Sequence, residues 1–116
     1  MTSEQTKTRT KQFAFEWGHF TQQLAKTDIN RNYSNQLIRS SGSVDANYKA
    51  VRRVKSKPDF INKLKIVKEE LDESLLWLEM PVEFNKNKRT LSVPIYKEGE
   101  ELLKIMVASI NYSRKK

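Results

Sequence analysis

The sequence predicts an all-α protein folded as one antiparallel, up-down-up-down four-helix bundle. Three observations lead there. Four segments space their apolar residues alternately by three and four, only three Gly and three Pro occur in 116 residues, and 31% of residues are charged against 37% hydrophobic. That spacing is one face of an α-helix. So few turn-formers cannot punctuate a strand-rich fold, and amphipathic helices sharing a core suit this balance of charge and apolar content. A chain of this length forms one domain and buries roughly two-thirds of its unfolded surface.

Residues 1–11 are polar and are expected to form a flexible tail. A first helix, about 12–27, follows from the stripe Phe13, Trp17, Phe20 and Leu24, and Asp28, Asn30 and Asn32 mark the break after it. The second helix, about 31–55, has Leu37, Ser41, Val44, Tyr48 and Val51 in phase. Ser40-Ser41-Gly42-Ser43 at its centre has poor helix propensity, yet the stripe runs through it, and small residues there let a neighbouring helix come close. The third helix, about 57–80, opens with a Ser56 cap and Pro58 in the first turn, then runs Phe60, Leu64, Val67, Leu71, Ser74 and Leu78. Pro81 is expected to end it, because proline has no amide to donate to the Trp77 carbonyl. Residues from Glu83 to Pro94 read as a polar, basic loop. The fourth helix, about 95–113, carries Ile95, Leu102, Met106 and Ile110 with Leu103 alongside, and residues 115–116 are a basic end. Antiparallel neighbours are the simplest solution for four such stripes joined mostly by short connections.

Charge is segregated along the chain. The net charge is +8; residues 31–57 hold seven Lys/Arg against one acid, and residues 58–84 hold three against seven. A basic surplus suggests a polyanionic partner such as nucleic acid, while the acidic segment offers internal counter-charges. No apolar run exceeds four residues, as at Ile105–Ala108, so no membrane span is expected, and the polar start lacks the apolar region of a secretory signal. Absence of cysteine excludes disulfides and thiol chemistry and fits a cytoplasmic location.

Chemistry-bearing patterns are few. Glu16 and His19 form a Glu-x-x-His, the spacing of di-iron bundle proteins, but His19 is the sole histidine and a second such motif is missing. Glu69, Glu70, Asp72, Glu73 and Glu79 project away from the third helix's stripe, as a solvated face does. There is no Gly-rich phosphate loop and no nucleophile with a histidine partner. No enzyme, cofactor or metal site is therefore expected.

Two surface patterns are candidates for binding. Arg39, Lys49, Arg52 and Arg53 occupy one arc of the second helix, and Lys55 and Lys57 extend it into the turn. Such a ridge can meet phosphates and release their counterions. It can equally be a solvated face, or pair with the acidic third helix, with Glu70 or Glu73 as partners of Arg52. Ile66 and Trp77 on the third helix, and Ile105 and Tyr112 on the fourth, lie off the main stripes on second apolar faces. A lone bundle buries one face per helix, so these four are the expected oligomer interface.

Four stretches are also familiar together: Gln36 to Tyr48, Ser56 to Leu64, Glu70 to Glu79 and Glu101 to Ile110. Across residues 12–114, in order, the chain resembles the bacterial four-helix-bundle proteins encoded in intervening sequences of 23S ribosomal RNA genes. That resemblance implies a homopentameric bundle without a settled activity and with no catalytic residues to carry over. Distant relatives serve as accessory proteins of diversity-generating retroelements, where they bind a reverse transcriptase and nucleic acid. Two positions depart from the pattern. Asp45 stands where a small residue is expected, and Met80-Pro81 replaces a continuing helix end. The functional expectation is a non-enzymatic homo-oligomer, pentameric by the resemblance, that presents basic ridges to RNA, DNA or a ribonucleoprotein. The alternative is a protein-only adaptor.

Overall fold

The computed structural model describes residues 2–115 and holds four helices in chain order: α1 (Ser3–Gln22), α2 (Asp28–Val51), α3 (Lys57–Phe84) and α4 (Arg89–Lys115), with a short 3₁₀ turn at Lys86–Lys88. Each helix packs on its neighbours in sequence, and α1 also packs on α4, closing an antiparallel four-helix ring of 47 × 21 × 19 Å. No helix among the described residues is long and apolar enough to cross a membrane.

The core is the one the stripes define. Leu37, Val44, Leu64, Val67, Leu71, Leu78, Leu102 and Met106 are buried with the α1 aromatics. There Trp17 meets the rings of Phe13 and Phe20 edge-on at 5.6 and 6.0 Å. The serine tract of α2 stays helical. Ser40 and Ser41 are buried, and Ser74 of α3 donates to Ser40 Oγ at 3.0 Å, so two hydroxyls mark a close approach of the helices. Gly42 takes no part in it, having nothing within 4 Å of where a Cβ would stand.

Several boundaries differ from the sequence reading: α1 ends at Gln22 rather than 27, and α2 runs from Asp28 to Val51 rather than 31–55, its first turn holding Asp28 and Asn30 behind the Thr27 cap. Three further differences each have a physical reason. Helix α1 begins at Ser3, so the segment read as a tail is helical. Thr2 caps it in a reciprocal capping box with Gln5, and Thr6 and Thr10 carry the stripe back from Phe13 in phase. Their hydroxyls are satisfied by the carbonyls of Thr2 (3.1 Å) and Lys7 (2.9 Å), which allows a polar stripe to be buried. Helix α3 runs through Pro81, which is buried, to Phe84. At the helix end the Asn85 backbone amide turns to the Val82 carbonyl (3.3 Å), and its side chain donates to the Pro81 carbonyl at 2.7 Å in its place. Helix α4 begins at Arg89 rather than after Pro94. Pro94 is exposed, and so is Thr90, whose carbonyl the missing amide would have met, leaving it to water.

Gly99, unremarked in the sequence reading, sets the position of α4. A Cβ there would stand 2.7 Å from Leu75 Cδ2 and 3.0 Å from the Phe13 ring. Asp45 fits where a small residue was expected, because Thr10 donates to it at 3.3 Å and Lys49 pairs with it at 3.4 Å.

Candidate nucleic-acid interface

The six predicted cations fall into two places. Helix α2 stops at Val51; Arg52 is its C-cap, Arg53 follows in the turn, Ser56 caps α3 by accepting from the Asp59 amide at 3.2 Å, and Lys57 opens that helix. This short connection gathers Arg52, Arg53, Lys55 and Lys57 at one end of the bundle. Arg39 lies about 20 Å away along α2, given ~1.5 Å of rise per residue. It pairs with Glu70 (3.6 Å) and Glu73 (3.0 Å) on α3. Lys49 pairs with Asp45, and Arg52 meets Glu4 of α1 at 2.6 Å rather than Glu70 or Glu73. The Arg52 guanidinium holds the Glu4 carboxyl below its ordinary range by hydrogen bond and charge. Arg53, Lys55 and Lys57 are exposed, and among the described residues none has a carboxylate within 4.0 Å.

Antiparallel packing brings the start of α1 and the close of α4 to the same end. A recess of about 460 Å³ lies there between all four helices, lined by Thr2, Arg52, Val54, Phe60, Ile105 and Ser109 among others. Arg114, near the end of α4, lines a smaller groove of about 290 Å³ with Lys65 and Lys68 of α3. Lys115 is exposed beyond it, and Lys116 lies outside the described residues. At the opposite end Lys86 faces Glu83 at 3.9 Å, and Arg31 meets Asp28 at 3.1 Å. A groove of about 730 Å³ beside them mixes Lys86, Arg89 and Lys97 with Glu79, Glu83 and Glu100. The α2–α3 turn thus places three exposed cations without a carboxylate partner within five residues of chain, a local positive charge suited to a polyanion.

The four predicted interface residues do not share one face. Ile105 is partly buried against the core and lines the recess. Ile66 is 36% exposed and Tyr112 61% exposed on α3 and α4. Trp77 is partly buried, with its Nε1 enclosed and lacking a hydrogen-bond partner. It belongs to an aromatic group on the α2–α3 face: Tyr33 lies 6.2 Å from the Trp77 ring and stacks on Phe84 at 6.4 Å. Ile29 and Gln36 complete a groove of about 460 Å³ beside it. The sequence reading missed Tyr33 and Phe84. Phe84 stands seven residues after Trp77, a helical repeat that was legible once Pro81 is not taken as a stop.

On the same face, burial and the nearby Glu73 carboxylate push the Glu70 carboxyl above its ordinary range, with Arg39 opposing them. Glu16 and His19 are both exposed on α1, where Glu16 accepts from Gln12 at 2.7 Å.

This geometry defines a class, an all-α four-helix bundle with one basic end and one aromatic side. Compared with known proteins, the chain matches no protein-family model and no curated protein. It is similar in structure to a protein of unknown function from the S23 ribosomal protein family of Bacteroides thetaiotaomicron. The TM-score is 0.82 at 27% sequence identity, covering 96% of this chain and 99% of that one.

Proposed function

We propose that this chain is a non-enzymatic, homo-oligomeric bundle scaffold of the cytoplasm, allied to the S23 ribosomal protein family, that binds RNA through its basic end. The observation that carries the reading is the clustering of Arg53, Lys55 and Lys57, three exposed cations within five residues on one short turn, none with a carboxylate within 4.0 Å among the described residues. Phosphates are the partners such a cluster suits, each contact releasing counterions. The structural likeness adds a ribosomal association by family name, in keeping with the resemblance to proteins of 23S ribosomal RNA intervening sequences. Self-association draws on exposed apolar side chains, above all Ile29, Ile66, Phe84 and Tyr112. The number five rests on the resemblance alone. Assembly would multiply weak contacts through effective concentration.

Salt-dependent binding of the purified chain to RNA and DNA, read beside its solution mass, tests both halves. Binding that is tight at low salt and falls steeply as salt rises, with a mass near five chains, is the expected result. No binding to either polymer at low salt defeats the nucleic-acid half, and a monomer at micromolar concentration defeats the assembly half. Phe84→Glu is the variant for assembly, since Phe84 is 57% exposed whereas Trp77 is engaged with the core.

A second reading, a protein-only adaptor, is favoured by a specific observation: Arg39, Lys49 and Arg52 are engaged with this chain's own carboxylates. It predicts assembly without a salt-dependent polyanion complex.

A further inference from the structure

The recess at the basic end joins two kinds of surface. Val54, Phe60, Leu64 and Ile105 make one part of its wall apolar, Ser3, Thr6 and Ser109 add hydroxyls, and it reaches the exterior at exposed Thr2 and Arg52. Its volume of about 460 Å³ falls within the roughly 300–1,000 Å³ of small-ligand sites. Along the chain, exposed Arg53, Lys55 and Lys57 adjoin or follow Arg52 and Val54 of its lining.

Recognition of an unpaired nucleotide needs an aromatic or apolar face for the base and cations for the flanking phosphates. A base inside a duplex is already stacked and paired, and inserting it would first require unstacking. A single-headed amphiphile such as a fatty acid would also suit an apolar wall, but it calls for one cation at the mouth. Here Arg52 of the lining is followed along the turn by exposed Arg53 and Lys55, enough cations for successive phosphates of a chain. We propose that this recess receives one unpaired base of a single-stranded nucleic acid, stacked against Phe60, with Arg52, Arg53 and Lys55 holding the adjoining phosphates. The assignment rests on the nucleic-acid reading above and narrows it from a polyanion to an unpaired strand.

The test uses the full chain with a single-stranded RNA of roughly ten nucleotides carrying one 2-aminopurine, and the same strand annealed to its complement. The single strand is expected to bind about tenfold or more tightly than the duplex, with a change in 2-aminopurine fluorescence. Phe60→Leu keeps apolar bulk and removes the ring. It should weaken single-strand binding by about tenfold while leaving duplex affinity, salt slope and helicity as in wild type. Ser109→Phe, which fills the recess from α4 without touching a charge, should do the same and serves if Phe60→Leu does not fold. Equal affinity for strand and duplex, with both variants binding as wild type does, overturns the recess and leaves the nucleic-acid reading standing. Absence of binding to either polymer overturns both. Laurate occupying the recess, in a chain with no preference for single strands, assigns it to an amphiphile and overturns the proposal.

Discussion

Asn30 and Asn85 bond to each other twice, amide to amide. Asn85 Nδ2 donates to Asn30 Oδ1 at 2.6 Å, and Asn30 Nδ2 donates to Asn85 Oδ1 at 3.1 Å. Asn30 also donates to the Ala25 carbonyl (2.8 Å) and Asn85 to that of Pro81 (2.7 Å). This pair, Asn30 buried and Asn85 partly so, thus fastens the α1–α2 turn, the start of α2 and the end of α3. Asn30→Ala strands the partner amide and should cost about 1–3 kcal/mol, seen as a lower denaturant midpoint. Replacing both residues with Leu should cost less than the two single changes added together, because no polar group is then left unpaired.

Two glycines on helices should respond differently to the same change, with Gly42→Ala the more stable of the two variants. Gly99→Ala places a methyl 2.7 Å from Leu75 and 3.0 Å from Phe13, both buried. Overpacking of about 1–3 kcal/mol outweighs or cancels the gain in helix propensity of about 1 kcal/mol. Gly42→Ala meets nothing within 4 Å and keeps only the gain, so it should raise stability by about 0.5–1 kcal/mol. Thermal or urea unfolding of the two variants measures the difference. Equal effects would show that α4 does not pack on α1 and α3 as closely as these distances state.

What the sequence made legible was whatever apolar spacing encodes. The run from Leu64 to Leu78 falls on the observed core. The start of α1 was hidden because Thr6 and Thr10 look polar in composition while their hydroxyls bond to their own helix. Pro81 and Pro94 were read by their local cost, one missing amide each, yet both helices continue through them, and the Thr90 carbonyl that Pro94 leaves without a donor lies on an exposed residue. The cations of the α2–α3 turn were plain as charge, but their partners were not. Arg39 rather than Arg52 takes Glu70 and Glu73, and Glu4, assigned to a mobile tail, takes Arg52. Pairing of that kind depends on which helices adjoin, and periodicity alone does not carry it.

The Glu70 carboxyl is raised chiefly by burial and then by Glu73, so the folded state binds its proton more tightly than the unfolded chain does. Its contribution to stability is fully present below the ordinary carboxylate range and is lost as pH rises through the raised value. Glu70→Gln should therefore match wild type at low pH and become the more stable protein toward neutrality, in melts taken across pH. Arg39→Gln does the reverse: it leaves two carboxylates facing each other, and its penalty should grow as pH rises. Since Arg39 is committed to that pair, the same variant should change RNA affinity far less than Lys55→Glu does.

Glu4 offers a sharper test of the basic end, because it competes for a cation that the proposal gives to phosphate. Its carboxylate meets Arg52 at 2.6 Å, on a side chain 68% exposed. A strand entering along the turn must displace that carboxylate or bind beside it. Glu4→Gln removes the competing charge and leaves Arg52 in place at the C-cap of α2. RNA affinity at low salt should rise, and the log–log salt slope should steepen by about 0.7, the increment for one more neutralised phosphate on a single strand. Stability at neutral pH should fall slightly, since the pair that lowers the Glu4 carboxyl is present above the ordinary carboxylate range and lost as pH drops through the depressed value. Arg52→Gln is the counterpart: it should lower affinity and flatten the slope by the same increment while freeing Glu4. An unchanged slope in both variants would mean that Arg52 serves only to tie α1 to α2, and that Arg53, Lys55 and Lys57 meet the strand without it.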